Sequence, residues 1–333
     1  MQTKKIDLAL QGGGAHGAYT WGVIDRLLDD ERIEIEGICG TSAGAMNGVC
    51  TIYGLNKGGK NLAKHLLVKF WHKISEAGKL AGLHPSWFDT LLSKGNMDFS
   101  PMYKFFSMTT ESMAPAQFNP LGHNPLEKIL NELIDFEELQ KLNPPKLFVC
   151  ATNVRTCEAR VFGPTEITAK AILASACLPY IYKAVEIDGE FYWDGGYMGN
   201  PPLGPLVEGT VDANDILLVQ INPIKINKTP GTLEEIKDRV NELSFNSSLV
   251  LELKMLQFQQ ELVAKGITLD GKLRKICLHN LMVDEDLADL NISSKLNTSW
   301  DFLMHLKEAG YKACDNWLKE SFDKIGNEST FRI

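Results

Sequence analysis

Two glycine-rich turns within the first 50 residues, each closing a short apolar run and leading into a helix-compatible stretch, limit what this chain can fold into. The run Ile6-Asp7-Leu8-Ala9-Leu10 ends at Gly12-Gly13-Gly14, after which Trp21, Ile24, Leu27 and Leu28 recur at helical spacing. Ile33, Ile35 and Ile38 mark a second strand running into Gly40-Thr41-Ser42-Ala43-Gly44, and the Ala/Met/Val residues behind that turn predict a helix over 43–53. A strand–helix–strand–helix order sets successive strands side by side and parallel, with helices crossing over the sheet faces. An α/β fold on a mostly parallel central sheet is therefore expected.

Further strands are predicted at 146–153, 160–163, 191–193, 215–222 and 274–280, and helices at 165–176, 233–265 and 299–320. Residues 55–59 and 222–231, rich in Gly, Asn, Lys and Pro, read as surface loops. Residues 80–118 carry Trp87, Phe88, Phe99, Tyr103, Phe105, Phe106, Phe118, Met97, Met102, Met108 and Met113 without clear periodicity. Two readings stand for this segment: an irregular insert completing the core, or a flexible apolar cap over a pocket. Trp300, Leu303, Leu306, Ala313 and Trp317 form a helical stripe expected to pack on the main body.

A formal net charge of −8 argues against a general nucleic-acid binder, which needs a basic surface, and gives no help in docking on an anionic bilayer. No apolar run is long enough to span a membrane. The run behind the basic start Met1–Lys5 is short and contains Asp7, so no cleaved export signal is expected and a cytoplasmic location is read. A signal for specialised secretion stays open at either end. Seven Cys without C-x-x-C spacing point to reduced thiols, with Cys39 and Cys150 in the core. The acidic run Asp284-Glu285-Asp286 with Asp289 lacks the glycine of a calcium loop and reads as a solvated face.

Gly40-Thr41-Ser42-Ala43-Gly44 is a G-x-S-x-G sequence in strand–turn–helix context, which projects the serine from a sharp turn at a helix N-terminus. Flanking Gly40 and Gly44 remove side chains that would clash there. Gln11-Gly12-Gly13-Gly14-Ala15-His16-Gly17 formally matches the dinucleotide fingerprint G-x-G-x-x-G. The acid that should end the second strand is missing, replaced by the serine turn, which rejects NAD or FAD. The three glycines suit backbone donation to a substrate oxyanion instead, since neighbouring βα turns open at the same sheet edge. A serine nucleophile needs a base, and Asp194 in Trp193-Asp194-Gly195-Gly196, at the end of a short strand, is the strongest candidate.

Glycine loop, early G-x-S-x-G and an Asp-Gly-Gly 152 residues later (194 − 42), in this order, resemble the patatin-like phospholipases. The resemblance covers roughly residues 5–220. It implies a three-layer α/β/α fold, a Ser-Asp dyad without histidine, and hydrolysis of phospholipid or other acyl-ester lipids at a transiently contacted membrane surface, with neither metal nor cofactor. Carried over by motif, Ser42 is the nucleophile, Asp194 the base, and Gly12, Gly13 and Gly14 line the oxyanion hole. The whole chain, 1–333, then reads as one catalytic domain, with 80–118 as an apolar cap insert and 232–333 as a helical C-terminal extension. One departure is His16, where family members often carry Arg or Lys; as a substrate contact it would supply charge only when protonated. Three alternatives remain: a Ser-His-Asp triad using His279 or His305, acyl transfer by the same dyad, and a catalytically silent lipid-binding module.

Overall fold

The computed structural model describes residues 3–331 apart from 83, 87, 90–92, 94, 143–144, 270–272 and 284–289, so Trp87 and the acidic run at 284–289 lie outside the described residues. The strands are β1 (Lys4–Leu10), β2 (Ile33–Thr41), β3 (Lys146–Asn153), β4 (Ala159–Phe162), β5 (Val185–Ile187), β6 (Glu190–Asp194), β7 (Asp215–Gln220) and β8 (Cys277–Met282). They form one sheet in the order β5-β6-β3-β2-β1-β7-β8, with β4 pairing β3 off this path. The run β3-β2-β1-β7-β8 is parallel throughout, and β4, β5 and β6 add antiparallel pairings at the β3 side.

The principal helices are α1 (Gly17–Asp29), α2 (Ala43–Leu80), α3 (Pro101–Ser112), α4 (Pro125–Leu133), α5 (Ala169–Ser175), α6 (Leu233–Ala264) and α7 (Trp300–Ser321). Alternation along the strands assigns the two faces. Ile6, Leu8, Leu10, Leu217 and Val219 join a core with α1, α2, α5 and α7, while Ala9, Ile216 and Leu218 join Leu249, Leu253 and Leu256 of α6 on the other side. The result is the expected three-layer α/β/α sandwich. Leu303, Leu306 and Trp317 of the α7 stripe are buried in the first of these cores, whereas β8 lets residues beyond 232 contribute to the sheet as well as to the helices.

Three sequence expectations change. Residues 55–59 are not a loop: the helix continues from Ala43 to Leu80 with only Gly58 and Gly59 non-helical, so the break is a two-residue kink. The 80–118 segment is helical over Pro101–Ser112, where Ser100 caps the helix by accepting from the Tyr103 amide. None of that helix is buried, so it does not complete the core; Met97 is buried while Met102, Met108 and Met113 are exposed. The segment 222–231 begins with a buried residue, Asn222, before turning outward. Among the described residues no helix is long and apolar enough to cross a membrane.

Asp7 lies fully buried in the middle of β1, and among the described residues no well-formed hydrogen bond reaches its carboxyl oxygens, although the Gly37 amide lies near enough to favour the charged form. Burial pushes its pKa from 3.8 up to about 8. A carboxyl that is more basic folded than unfolded binds more protons in the folded state, so its contribution to stability falls as pH rises from about 4 to about 8. Asp7→Asn should therefore be more stable than wild type at pH 8, by at least about 1 kcal/mol, with the difference shrinking toward pH 4. Urea melts at both pH values check this; a difference independent of pH would refute it.

Candidate active site

β2 ends at Thr41 and α2 begins at Ala43, which leaves Ser42 as a one-residue corner between strand and helix. Its backbone, at φ 54° and ψ −119°, occupies a region that residues with side chains rarely adopt. The corner closes because its neighbours are glycines: a Cβ on Gly44 would overlap the Leu10 carbonyl oxygen, and one on Gly40 would stand 2.6 Å from the Gly44 carbonyl carbon. Two bonds hold the strained turn. Thr41 Oγ1 donates to the Gly199 carbonyl at 2.6 Å, and the Ser42 amide donates to Ser175 Oγ, at the end of α5, at 2.8 Å.

Strand register brings the carboxylate to this corner. β2 pairs Thr41 with Cys150 of β3, and β3 pairs Ala151 with Asp194, the last residue of β6. Asp194 is 1% exposed. Its Oδ1 accepts from the Gly196 amide at 2.7 Å, its carbonyl accepts from Thr152 Oγ1 at 2.8 Å, and the Ser42 side chain lies near enough to favour the ionised carboxylate. Burial pushes its pKa from 3.8 up to about 7, against the opposite pull of the Gly196 amide, the Ser42 hydroxyl and the Lys295 charge. A carboxylate so placed is a much stronger base than one in water.

The glycine loop follows β1, the neighbour of β2, and Gly12 packs directly on the corner: a Cβ there would stand 2.7 Å from Ser42 Cβ. The Gly12 amide is already engaged, donating to Asn200 Oδ1 at 2.7 Å, so the expectation of three free glycine donors is corrected to two. Among the described residues nothing accepts from the amides of Gly13 and Gly14. The Gly12 carbonyl accepts from Asn222 Nδ2 at 2.8 Å, and in a trans peptide this turns the Gly13 N–H to the opposite side. Gln11 anchors the loop's start: its Oε1 accepts from the amides of Ile221 and Asn222, each at 2.9 Å, and its Nε2 donates to Asn246 Oδ1 of α6 at 2.9 Å.

His16 does not face a substrate. Its buried ring places Nε2 2.7 Å from Ser294 Oγ, and that hydroxyl donates to the Asn291 carbonyl, so the ring must supply the proton. Burial, with the Lys295 charge, pushes its pKa down to about 3, so the ring stays neutral and the expected protonated contact is overturned. The cation beside the loop is Lys295 instead, on a 3-10 turn at Ile292–Leu296. The triad alternative also falls: His279 is buried in β8 between Asp215 Oδ1 at 3.0 Å and Thr330 Oγ1 at 2.8 Å, and His305 is exposed on α7. Ser175, Asn200, Asn222 and Lys295 were missed in the sequence; each is a lone polar residue in no motif, and only its position beside a strand end or helix end gives it a part. Among the described residues no three His, Cys, Asp or Glu side chains gather to hold a metal.

The sequence pattern of the patatin-like phospholipases matches residues 8–207, from the glycine loop past Asp194. The chain belongs to that family. Uncharacterized protein R571 of Acanthamoeba polyphaga mimivirus is 23% identical over 203 residues, covering 59% of this chain and 60% of the relative, so less than two thirds of that protein is matched. Among solved structures, VipD from Legionella pneumophila superposes with a TM-score of 0.44 at 17% identity, covering 95% of this chain and 67% of VipD. ExoU, in its complex with SpcU from the type III secretion system of Pseudomonas aeruginosa, gives 0.41 at 15%, covering 97% of this chain and 52% of ExoU.

Because a Cβ at position 44 would run into the β1 backbone, Gly44→Ala should lower stability by about 1–3 kcal/mol. Thermal melts test this; a variant as stable as wild type would mean that helix and strand need not approach so closely.

Proposed function

We propose that the protein is a lipid acyl hydrolase in which Ser42 is the nucleophile and Asp194 its base. The observation that carries this reading is the buried Asp194 carboxylate, raised to a pKa of about 7 and set beside a serine on a strained strand–helix corner. Asp194 takes the Ser42 proton as Oγ attacks the ester carbonyl carbon, and the carbonyl π electrons move onto oxygen. The resulting oxyanion accepts from the Gly13 and Gly14 amides and sits at the N-terminus of α2, where the helix dipole favours negative charge. Each such donor is worth about 3–4 kcal/mol in other hydrolases. Collapse expels the alcohol, which takes the proton from Asp194. A water, deprotonated by Asp194, then cleaves the acyl-serine, and the proton returns to Ser42 as the fatty acid leaves.

Phospholipid or another acyl-ester lipid is the proposed substrate class, in keeping with the family. Outward apolar side chains support approach to a lipid surface: Phe105 and Met108 of α3 are 63% and 64% exposed, and Leu233 and Val240 of α6 are 69% and 57% exposed. The ion pair of Lys237 with Glu111, at 3.0 Å, ties the two helices together, and we assign the 80–118 segment the part of an apolar cap.

Fatty-acid release from a short acyl p-nitrophenyl ester and from mixed phospholipid vesicles, in EDTA, tests the proposal. Ser42→Ala and Asp194→Asn should each lower turnover by at least about a thousandfold without changing the melting temperature by more than a few degrees. Activity that survives Ser42→Ala would overturn the assignment. Since Asp194 must be ionised to accept the proton, the rate should rise with pH through its pKa of about 7, falling about tenfold per unit well below it. A rate flat between pH 5 and pH 8 would show that another group is the base.

A further inference from the structure

The polar groups that orient the glycine loop come largely from beyond the segment matched by the family. That segment ends at residue 207, and Asn222, Asn246 and Lys295 all lie after it. We propose that Lys295 is a positioning residue for the acyl-transfer site: through Asn222 it sets the orientation of the Gly12–Gly13 peptide, and it places a positive charge within electrostatic reach of the Asp194 carboxylate. This rests on the Ser42–Asp194 reading given above.

The chain of contacts has a direction imposed by chemistry. Lys295 Nζ donates to Asn222 Oδ1 at 2.8 Å and to Asn241 Oδ1 of α6 at 3.1 Å. An ammonium has donors only, so the Asn222 amide must present its oxygen to Lys295 and its NH2 to the other side. There Nδ2 donates to the Gly12 carbonyl at 2.8 Å and to Gln11 Oε1 at 3.2 Å. With an uncharged hydrocarbon at 295 Asn222 Oδ1 loses its charged donor, and only the bonds to Gly12 and Gln11 keep the amide in that orientation; each time it turned over it would set oxygen against the Gly12 carbonyl oxygen and release the peptide whose N–H faces the substrate. The backbone of the same turn presses on the loop as well. Gly14, at φ +60°, leaves no room for a Cβ because the Lys295 carbonyl oxygen fills the space, and Ser294 holds His16.

The electrostatic surroundings identify which groups titrate. Facing Lys295 are Asp194, Asp238 and Glu242, whose charges favour the ammonium, and the neutral His16; burial outweighs them and pushes the lysine down to about 8. Facing Asp194 are Ser42, Lys295, Cys150, Cys177 and Tyr197, and burial pushes both thiols and the phenol above their ordinary values. Asp194, at about 7, and Lys295, at about 8, therefore both change charge between pH 6 and pH 9. Loss of the Lys295 charge works against the ionised form of Asp194 and weakens the bond to Asn222, so turnover should decline above about pH 8.

The test compares wild type with Lys295→Met, Lys295→Arg and Asn222→Leu on the p-nitrophenyl ester, recording kcat, KM, pH profile and melting temperature. Lys295→Met should lower kcat roughly tenfold or more with KM changed only a few-fold, move the acid limb to higher pH and abolish the alkaline limb. Lys295→Arg, which keeps its charge at all these pH values, should recover part of kcat and shift the alkaline limb upward. Asn222→Leu should lower kcat while leaving the alkaline limb in place. A Lys295→Met enzyme with wild-type kcat and limbs, or one whose loss only tracks its folded fraction with the limbs unmoved, would overturn the proposal. NMR exchange of the Asn222 side-chain amide protons reports without turnover: they should lose protection in Lys295→Met, and unchanged protection would also overturn it. Inactive wild type, or activity retained in Ser42→Ala, would instead count against the hydrolase reading itself, with the exchange result still deciding the role of Lys295.

Discussion

Everything at this site depends on two βα turns occupying almost the same space. β1 and β2 are adjacent and parallel, so the glycine loop and the Ser42 corner leave the sheet side by side, and α2 starts where the Leu10 carbonyl already stands. The crowding forbids side chains at several points and explains the glycines on both turns without appeal to flexibility. It also fixes the distance over which chemistry can occur, since the serine and the loop amides cannot drift apart while the strands stay paired. Asp194 is delivered by the same logic from the other side, two strands away, through the register of β3 with β2 and with β6. Ser42 is strained because the sheet holds it so.

Much of this is legible in the sequence. The βαβα opening, the serine corner and the Asp-Gly-Gly turn are local patterns, each written in consecutive residues, and local patterns survive folding. Helices at 233–265 and 299–320 were equally plain, because a long amphipathic period leaves little choice. Interactions between distant segments were not legible. Gly12 looked like a free donor until Asn200, 188 positions away, was found on its amide. His16 looked like a cation next to a substrate until Ser294, 278 positions away, was found on its ring. Asn222 looked like the first residue of a surface loop because nothing beside it in the chain says that the β1 turn will lie on top of it.

Polar residues around the loop form one connected set rather than separate contacts. Gln11 joins the end of β1 to the end of β7 and to α6, Asn200 joins Gly12 to the Phe245 carbonyl, and Asn222 joins Gly12 to Lys295. Buried networks of this kind are stable only when nearly all their members are satisfied, so they resist piecemeal change. Residues 291–297 extend the set toward the 80–118 segment: Ser293 Oγ accepts from the Met97 amide at 2.9 Å and donates to Asp98 at 2.8 Å, and Asn297 Nδ2 donates to the Gly95 carbonyl at 2.8 Å.

The placement of these braces separates ancestry from competence. Relatives can be found by the loop, the serine corner and the aspartate, all of which lie within residues 8–207. Asn222, Asn246 and Lys295, which brace the loop, lie later, at the end of β7, on α6 and on the turn before α7. A lineage that keeps the three motifs but rebuilds its last hundred or so residues inherits the proposed reacting groups without the frame that aims them. In such a chain, an intact signature would record descent, and the surviving rate would be decided by whatever new segment came to rest against the glycine loop.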